Sequence, residues 1–91
     1  MYKYNVYHTT GEIDTFVLNN PMPDREIESL VVGVPEAIDL PNGITYFINA
    51  EALNLRFPIN PFFSIFHGNV IEKADIDDED EVVMVPSAWV E

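Results

Sequence analysis

The amino-acid sequence predicts an α+β fold: a small, mostly antiparallel sheet of about five or six strands with one main helix and one or two short helices. Short segments of alternating apolar and polar residues recur along the chain, as expected for half-buried strands. Glycine-containing turns separate two pairs of these segments, which is typical of hairpins. The predicted strands and helices do not alternate regularly, and this argues against a doubly wound parallel sheet.

The first predicted hairpin covers the N-terminal residues. Tyr2, Tyr4 and Val6 share one side of a strand over 2–8, and aromatic and β-branched residues suit the pleated surface of a sheet. A glycine-containing turn follows, and a second strand is predicted over 13–18. Two closely spaced prolines then end the hairpin, because proline lacks the amide donor that a strand needs.

The main helix is predicted over residues 24–32. A proline precedes it, and two carboxylates in its first turn face the positive end of the helix dipole. Ile27, Leu30 and Val31 are spaced to form one apolar stripe. Gly33 follows at a position where glycine commonly ends a helix.

A second hairpin is predicted from strands over 36–40 and 44–48. Asn42 and Gly43 lie between them, and both residue types tolerate the positive φ angles of a type I′ turn. Asn49 is placed to cap one helical turn after the hairpin.

The last third of the chain predicts one short helix and two further strands. The helix is predicted over 61–66, where a proline follows an asparagine cap, and Gly68 ends it. The strands are predicted over 69–72 and 81–85. All of these elements are expected to form a single compact domain, 1–91.

The composition excludes several classes of protein. Sixteen acidic residues against four lysines and arginines leave a formal net charge of -12 at pH 7, whereas binding to a phosphate backbone needs the opposite balance. We therefore expect no direct binding to nucleic acid or to an anionic membrane. The chain has no cysteine, which excludes a disulfide scaffold. No apolar run approaches the ~18 residues of a membrane span, and no signal peptide is expected.

An acidic run covers positions 75–81. It consists of Asp75, Asp77, Asp78, Glu79, Asp80 and Glu81. An EF-hand is excluded, because Asp80 and Pro86 stand where the calcium loop needs glycine and a bidentate glutamate. Three interpretations remain: a solvated loop, a looser divalent-cation site, or a surface that imitates a nucleic-acid backbone and occupies a basic groove on a partner.

An aromatic segment covers positions 57–66 and holds four of the six phenylalanines. One interpretation is that its rings form the core beneath a short helix. The other is an exposed apolar interface for self-association or partner docking. The predicted interface residues are Phe57, Phe62, Phe63, Phe66 and Trp89.

Few residues suggest catalysis or metal binding. The two histidines, His8 and His67, are far apart in sequence, and no nucleophile or metalloprotease motif surrounds any serine or histidine. We predict no catalytic residue, no metal site and no cofactor. Arg56 is expected to pair with a neighbouring carboxylate; the alternative is contact with an anionic ligand in a cleft.

The middle of the chain contains a set of turn and core residues in a recognisable order. These are Val32-Gly33, Glu36, Leu40, Asn42-Gly43, Asn49, Glu51, Leu53, Pro58 and Asn60. Over about Val31–Asn60 the chain resembles a family of small phage- and plasmid-borne proteins catalogued only as a domain of unknown function. The resemblance implies a mobile-element accessory protein and supplies no catalytic residues.

The leading hypothesis is a non-enzymatic, acidic accessory protein of a phage or plasmid, located in the host-cell cytoplasm. It would bind another protein, such as a host nucleic-acid-binding factor, through the acidic residues of 75–81. One alternative is a homo-oligomer, such as a homodimer, that sequesters a small ligand or nucleotide in an interface pocket with Arg56. Another is a virion or structural component.

Overall fold

The structure, a computed structural model, describes residues 1–76, which form two antiparallel sheets and one helix. In chain order the elements are β1 (Tyr2–Tyr7), β2 (Ile13–Leu18), α1 (Asp24–Val31), β3 (Pro35–Asp39), β4 (Thr45–Asn49), β5 (Ile59–Asn60), β6 (Phe63–His67) and β7 (Val70–Asp75). The larger sheet has the order β2-β1-β7-β4-β3, and β5 pairs with β6. The α+β class is therefore confirmed in broad terms, with more strands than predicted and a smaller helical share. The strand predicted over 81–85 lies outside the described residues.

The main core lies between α1 and one face of the five-stranded sheet. The predicted alternation in β1 is confirmed, since Tyr4 and Val6 are buried and Tyr2 packs against the same cluster. Phe16 of β2 stacks on Tyr4 with ring centroids 6.0 Å apart. The core consists of Tyr4, Val6, Phe16, Met22, Ile27, Val31 and Ile71. The one helix of residues 1–76 does not reach the length and hydrophobicity that a transmembrane helix requires.

The hairpin between β3 and β4 is confirmed, but its turn is not of type I′. Gly43 has a φ of 86°, whereas Asn42 is not among the residues with positive φ. The Gly43 N–H donates to the Leu40 carbonyl at 3.1 Å, and the Leu40 N–H donates to the Ile44 carbonyl at 2.8 Å. This is a three-residue loop in which a glycine follows a type I turn. Pro41 explains the difference, because its fixed negative φ suits the first central position of a type I turn.

The hairpin between β1 and β2 has the same loop. The Gly11 N–H donates to the His8 carbonyl at 3.0 Å, and the His8 N–H donates to the Glu12 carbonyl at 2.9 Å. Gly11 has a φ of 94°, which corresponds to Gly43 in the second hairpin. One loop geometry therefore closes both hairpins of the large sheet.

The C-terminus of α1 differs from the expectation that Gly33 would close the helix. Val32, with a φ of 61° and ψ of 53°, adopts the left-handed conformation instead, which is unusual for a β-branched residue. The Gly33 N–H donates to the Glu28 carbonyl at 3.0 Å, completing a Schellman-type ending. Gly33 itself has a φ of 146° and lies against the side chain of Asn49.

The short helix predicted over 61–66 is wrong, because these residues form the turn between β5 and β6 and most of β6. Asn60 pairs with Phe63, and Ile59 pairs with His67, so β6 bulges between these pairs. The bulge places Phe63 and Phe66 against the same tyrosine, Tyr46. Two rings three residues apart thus share a side in a bulged strand, a spacing that also indicates a helix.

Candidate docking surface

Most of the exposed apolar side chains lie on three short segments of the chain. Within residues 1–76, nine large hydrophobic side chains are exposed, and most of them lie on three segments, 32–34, 53–55 and 59–65. We define the apolar surface as Val32, Val34, Leu53, Leu55, Ile59 and Ile65. The most exposed members are Ile65 at 78%, Val34 at 70% and Leu53 at 69%. Single exposed hydrophobic residues are ordinary, but a local concentration of them indicates a docking site.

Two clefts interrupt this surface. The first, which we call the His67 cleft, has a volume of about 240 Å³ and lies between β4, the turn over 50–56 and β6. Its walls include Glu36, Ile48, Ala52, Leu53, Ile65 and His67. The second cleft has a volume of about 200 Å³ and lies at the C-terminal end of α1. Its walls include Val32, Phe57, Pro58, Gly68 and Asn69.

Two asparagine side chains hold the end of α1 beside these clefts. The amide nitrogen of Asn49 donates to the carbonyls of Val31 at 3.2 Å and Val32 at 2.9 Å. The amide nitrogen of Asn69 donates to the Leu30 carbonyl at 2.9 Å. Carbonyls at a helix C-terminus have no partner within the helix and need one elsewhere. The two side chains therefore attach the end of the helix to the ends of two strands.

Asn49 also organises the segment over 50–56, which forms hydrogen-bonded turns rather than the predicted helical turn. Its side-chain oxygen accepts a hydrogen bond from the Glu51 N–H at 2.7 Å, and the Leu55 N–H donates to the Glu51 carbonyl at 2.9 Å. The segment ends at Arg56, which has a φ of 58°. The resulting turn carries two members of the apolar surface, Leu53 and Leu55, outward.

Arg56 is exposed beside this turn. Within residues 1–76, the one contact at salt-bridge distance joins His8 and Asp14, at 2.9 Å, and it is an ion pair only when the imidazole is protonated. The expected partner of Arg56 is therefore not a carboxylate of residues 1–76. Arg56 is also absent from the walls of both clefts.

The aromatic segment contributes to a second, smaller cluster on the face of the sheet opposite α1. Phe62 and Phe63 lie 5.3 and 5.0 Å from the ring of Tyr7, and Phe63 and Phe66 lie 5.4 and 6.1 Å from Tyr46. Phe62 remains 42% exposed. Most of these rings therefore anchor the β5–β6 hairpin to the sheet through aromatic contacts.

The two other predicted aromatic interface residues lie elsewhere. Phe57 lines the second cleft and approaches Gly68 so closely that a Cβ atom there would lie 3.0 Å from its ring. Trp89 lies outside the described residues. The predicted aromatic set is thus not one surface, since the part that the structure describes is divided between the aromatic cluster and the second cleft.

A carboxylate that the sequence analysis did not single out lies beside the aromatic cluster. Glu72 accepts hydrogen bonds from Asn5 at 2.9 Å, from the Tyr7 hydroxyl at 3.2 Å and from the Tyr46 hydroxyl at 3.4 Å. The Thr15 hydroxyl donates to the side-chain oxygen of Asn5 at 2.6 Å. Thr15, Asn5, Glu72 and Tyr46 are cross-strand neighbours, so they form one polar row across four strands.

The pKa values of two tyrosines are changed beside Glu72: that of Tyr46, which belongs to the polar row, and that of Tyr7, which contacts it. Burial, followed by the negative charge of Glu72, raises the pKa of Tyr7 to about 12. The same two causes raise the pKa of Tyr46. Both hydroxyls therefore remain protonated and act as hydrogen-bond donors to Glu72 at neutral pH. The row has a structural role, because each of its side chains has a hydrogen-bond partner within the sheet.

The acidic run is described only at its first two positions. Asp75 is exposed and is the last residue of β7 rather than part of a loop. Asp77, Asp78, Glu79, Asp80 and Glu81 lie outside the described residues. Elsewhere, eight of the ten carboxylates in residues 1–76 are exposed. The exposed carboxylates are Glu12, Asp24, Glu26, Glu28, Glu36, Asp39, Glu51 and Asp75.

The described residues contain no group of three or more histidine and carboxylate side chains that could hold a metal ion. Lys73, one of the few cations, lies 5.0 Å from the centre of the Tyr2 ring. Because residues 1–76 contain ten carboxylates and only four lysines and arginines, negative charge dominates the surface of this part of the chain.

Comparison of the sequence and the structure with family models, with curated proteins and with solved structures finds no match.

Proposed function

We propose that this chain is a non-enzymatic acidic accessory protein that binds another protein through the apolar surface. The observation that carries the proposal is the exposure of Val32, Leu53 and Ile65 on the walls of two clefts. Val34 and Leu55, which are also exposed, lie two residues along the chain from Val32 and Leu53, respectively. Burial of such side chains against a partner stabilises the complex by roughly 25 cal/mol per Å² of apolar area removed from water.

Charge complementarity defines the chemistry of the partner. Glu36 is exposed and lines the His67 cleft together with Leu53 and Ile65, and the whole chain carries a formal net charge of -12. Like charges across an interface cost free energy, whereas opposite charges accelerate association. The partner is therefore a protein with an apolar patch bordered by lysine or arginine, such as the edge of a nucleic-acid-binding groove.

The acidic run over 75–81 has a separate part in this proposal. Its six carboxylates steer the partner toward the chain, in the way that a phosphate backbone attracts a basic groove. A partner in the host cell is part of the same proposal. The apolar surface then supplies the affinity that remains at high salt, because burial of apolar area is not screened by ions.

The experiment compares capture of proteins from host extract by the wild-type chain and by the double variant Val34→Asp, Leu55→Asp. Neither residue lines a cleft. Ile13→Asp is the matched control, because Ile13 is 49% exposed but lies on β2, at the opposite edge of the sheet from β3. Captured proteins are identified by mass spectrometry, purified and tested by calorimetry at about 50 and about 500 mM salt.

The proposal predicts one basic partner that binds the wild type and Ile13→Asp directly, and that the double variant loses. Binding should weaken at high salt without disappearing. Loss of the same partner from Ile13→Asp, or equal binding by all three proteins, would contradict it. A doubled mass in light scattering that the double variant abolishes would instead assign the apolar surface to a homodimer.

A further inference from the structure

The ring of His67 is held in one orientation by the backbone. Its Nδ1 lies 2.9 Å from the carbonyl oxygen of Phe57. A carbonyl oxygen can only accept a hydrogen bond, so Nδ1 must carry the hydrogen. In the neutral ring, Nε2 is then an acceptor with a free lone pair. Within the described part of the chain, Nε2 makes no hydrogen bond, and His67 lines the cleft that carries its name.

The other walls of the His67 cleft provide one charge and several apolar side chains. Glu36 brings an exposed carboxylate from β3, and Leu53, Ile65 and Phe66 bring apolar surface from the turn and β6. Asn49 also lines the cleft, but its side chain is occupied by three hydrogen bonds. The polar side-chain groups that remain for a ligand are two acceptors, the Glu36 carboxylate and Nε2 of His67.

We propose that the His67 cleft binds the side chain of an arginine from the partner protein. This assignment rests on the proposed function and names the group that the partner inserts. A guanidinium offers five donors in a rigid plane, and these match a carboxylate and an imidazole nitrogen that both accept. The aliphatic stem of arginine suits the apolar walls formed by Leu53 and Ile65.

The size and charge of the cleft favour this ligand over others. A volume of about 240 Å³ is far above the roughly 10–15 Å³ of accessible space that one water molecule needs, so the cleft has room for one long side chain. Pockets for drug-sized ligands and cofactors are larger, about 300–1,000 Å³. An anionic ligand would meet the carboxylate of Glu36. A lysine carries its charge at one point, so it matches two separated acceptors less well than a guanidinium.

The experiment uses small probes and does not require the partner. The ¹⁵N-labelled chain is titrated with N-acetyl-arginine amide, with N-acetyl-lysine amide and with N-acetyl-citrulline amide, the neutral analogue of the first. Backbone amide shifts report binding. We expect saturable shifts at Leu53, Ile65 and His67 with a Kd of about 1–10 mM for the arginine probe. Binding of the citrulline probe should be at least about tenfold weaker, because it lacks the charge that Glu36 recognises.

Three variants locate the site. Glu36→Gln removes the carboxylate charge, and His67→Asn keeps a donor near the Phe57 carbonyl while removing the acceptor at Nε2. Each should weaken the arginine probe by about fivefold or more. Glu51→Gln is the control, since Glu51 is exposed in the adjacent turn but does not line the His67 cleft. It should bind within about twofold of the wild type. The amide spectrum of each variant shows that it is folded.

Equal shifts with the arginine and citrulline probes would overturn the proposal, as would equal weakening by Glu36→Gln and Glu51→Gln. Absence of any shift at Leu53, Ile65 and His67 would also overturn it. These outcomes leave the proposed function intact if Val34→Asp, Leu55→Asp still loses the partner. If instead the arginine probe binds and no partner depends on Val34 and Leu55, the proposed function fails by itself.

Discussion

Gly33 lies so close to Asn49 that a Cβ atom on the glycine would come within 2.7 Å of the Asn49 amide nitrogen. That nitrogen donates to the carbonyls of Val31 and Val32, and Asn49 is only 3% exposed. A side chain at position 33 therefore cannot enter without displacing the group that holds the end of α1. This contact connects the helix to the turn that presents Leu53 and Leu55.

The first prediction concerns Gly33→Ala. The substitution should reduce the free energy of unfolding by about 2–3 kcal/mol, because it combines the close contact with an unfavourable φ of 146°. Unfolding in urea, followed by circular dichroism, measures the change. Gly43→Ala is the control, since Gly43 has a positive φ but open space around it, and it should cost about 1 kcal/mol. Equal costs for the two substitutions would contradict the account of the Gly33 contact.

The second prediction concerns Asn49→Asp. Aspartate keeps the oxygen that accepts from the Glu51 N–H, but it loses both donors to the helix carbonyls and adds a negative charge there. We expect a loss of about 2–4 kcal/mol in the free energy of unfolding. Asn42→Asp, at an exposed position whose side chain accepts only the Ile44 N–H, should change stability by less than about 0.5 kcal/mol. A comparable loss in both variants would show that the helix carbonyls do not need Asn49.

The third prediction concerns the pH dependence of stability. The pKa of Tyr7 is about 12 in the folded chain and about 10 in the unfolded chain. The unfolded state therefore loses its proton first, so the stabilisation is complete below pH 10 and is lost as the pH rises from 10 to 12. Urea unfolding across this range measures the slope. Glu72→Gln removes one of the causes of the shift, so the pKa of Tyr7 should fall toward 10 while burial keeps it raised.

Ultraviolet titration of the tyrosinates tests the assignment, with Tyr7→Phe identifying the transition that belongs to Tyr7. If Glu72→Gln leaves that transition unchanged, the charge of Glu72 does not contribute to the pKa. If the stability of the wild type does not fall between pH 10 and 12, the shifted tyrosine is not linked to folding.

The fourth prediction compares two phenylalanines of the β5–β6 hairpin, Phe62 and Phe63. Phe63 contacts both Tyr7 and Tyr46, whereas Phe62 is 42% exposed and contacts Tyr7 alone among the tyrosines. Phe63→Ala should therefore cost about 2–3 kcal/mol of unfolding free energy, and Phe62→Ala about 1 kcal/mol. A larger loss for Phe62→Ala would mean that the hairpin is attached through its turn rather than through Phe63.

The parts of the fold that could be predicted from the sequence are local. Glycines at positions 11 and 43 mark the two hairpins, and the spacing of Ile27, Leu30 and Val31 marks α1. The position of β7 between β1 and β4 could not be predicted, because it depends on pairing between residues more than twenty positions apart. The mistaken helix over 61–66 has a local cause, since a bulge in β6 reproduces the spacing of a helical face.

The residues of the candidate site could not be predicted from the sequence. Charge and the aromatic segment indicate an acidic protein with an apolar interface, yet the exposed members of the apolar surface are mainly aliphatic residues such as Val34 and Leu53. The exposure of Leu53 follows from the turn that Asn49 caps, and a hydrophobic residue in a sequence looks the same whether it is buried or exposed. Glu72 was missed for a similar reason, because one carboxylate in a strand gives no sign of its partners on neighbouring strands.

The most direct test of the apolar surface is the affinity of the purified partner for the wild-type chain, for Val34→Asp, Leu55→Asp and for Ile13→Asp. Titration calorimetry at about 500 mM salt screens the long-range charges and leaves the contribution of the surface itself. The account predicts that the double variant binds at least about 100-fold more weakly than the wild type, while Ile13→Asp stays within about threefold. An affinity of the double variant within threefold of the wild type would contradict it.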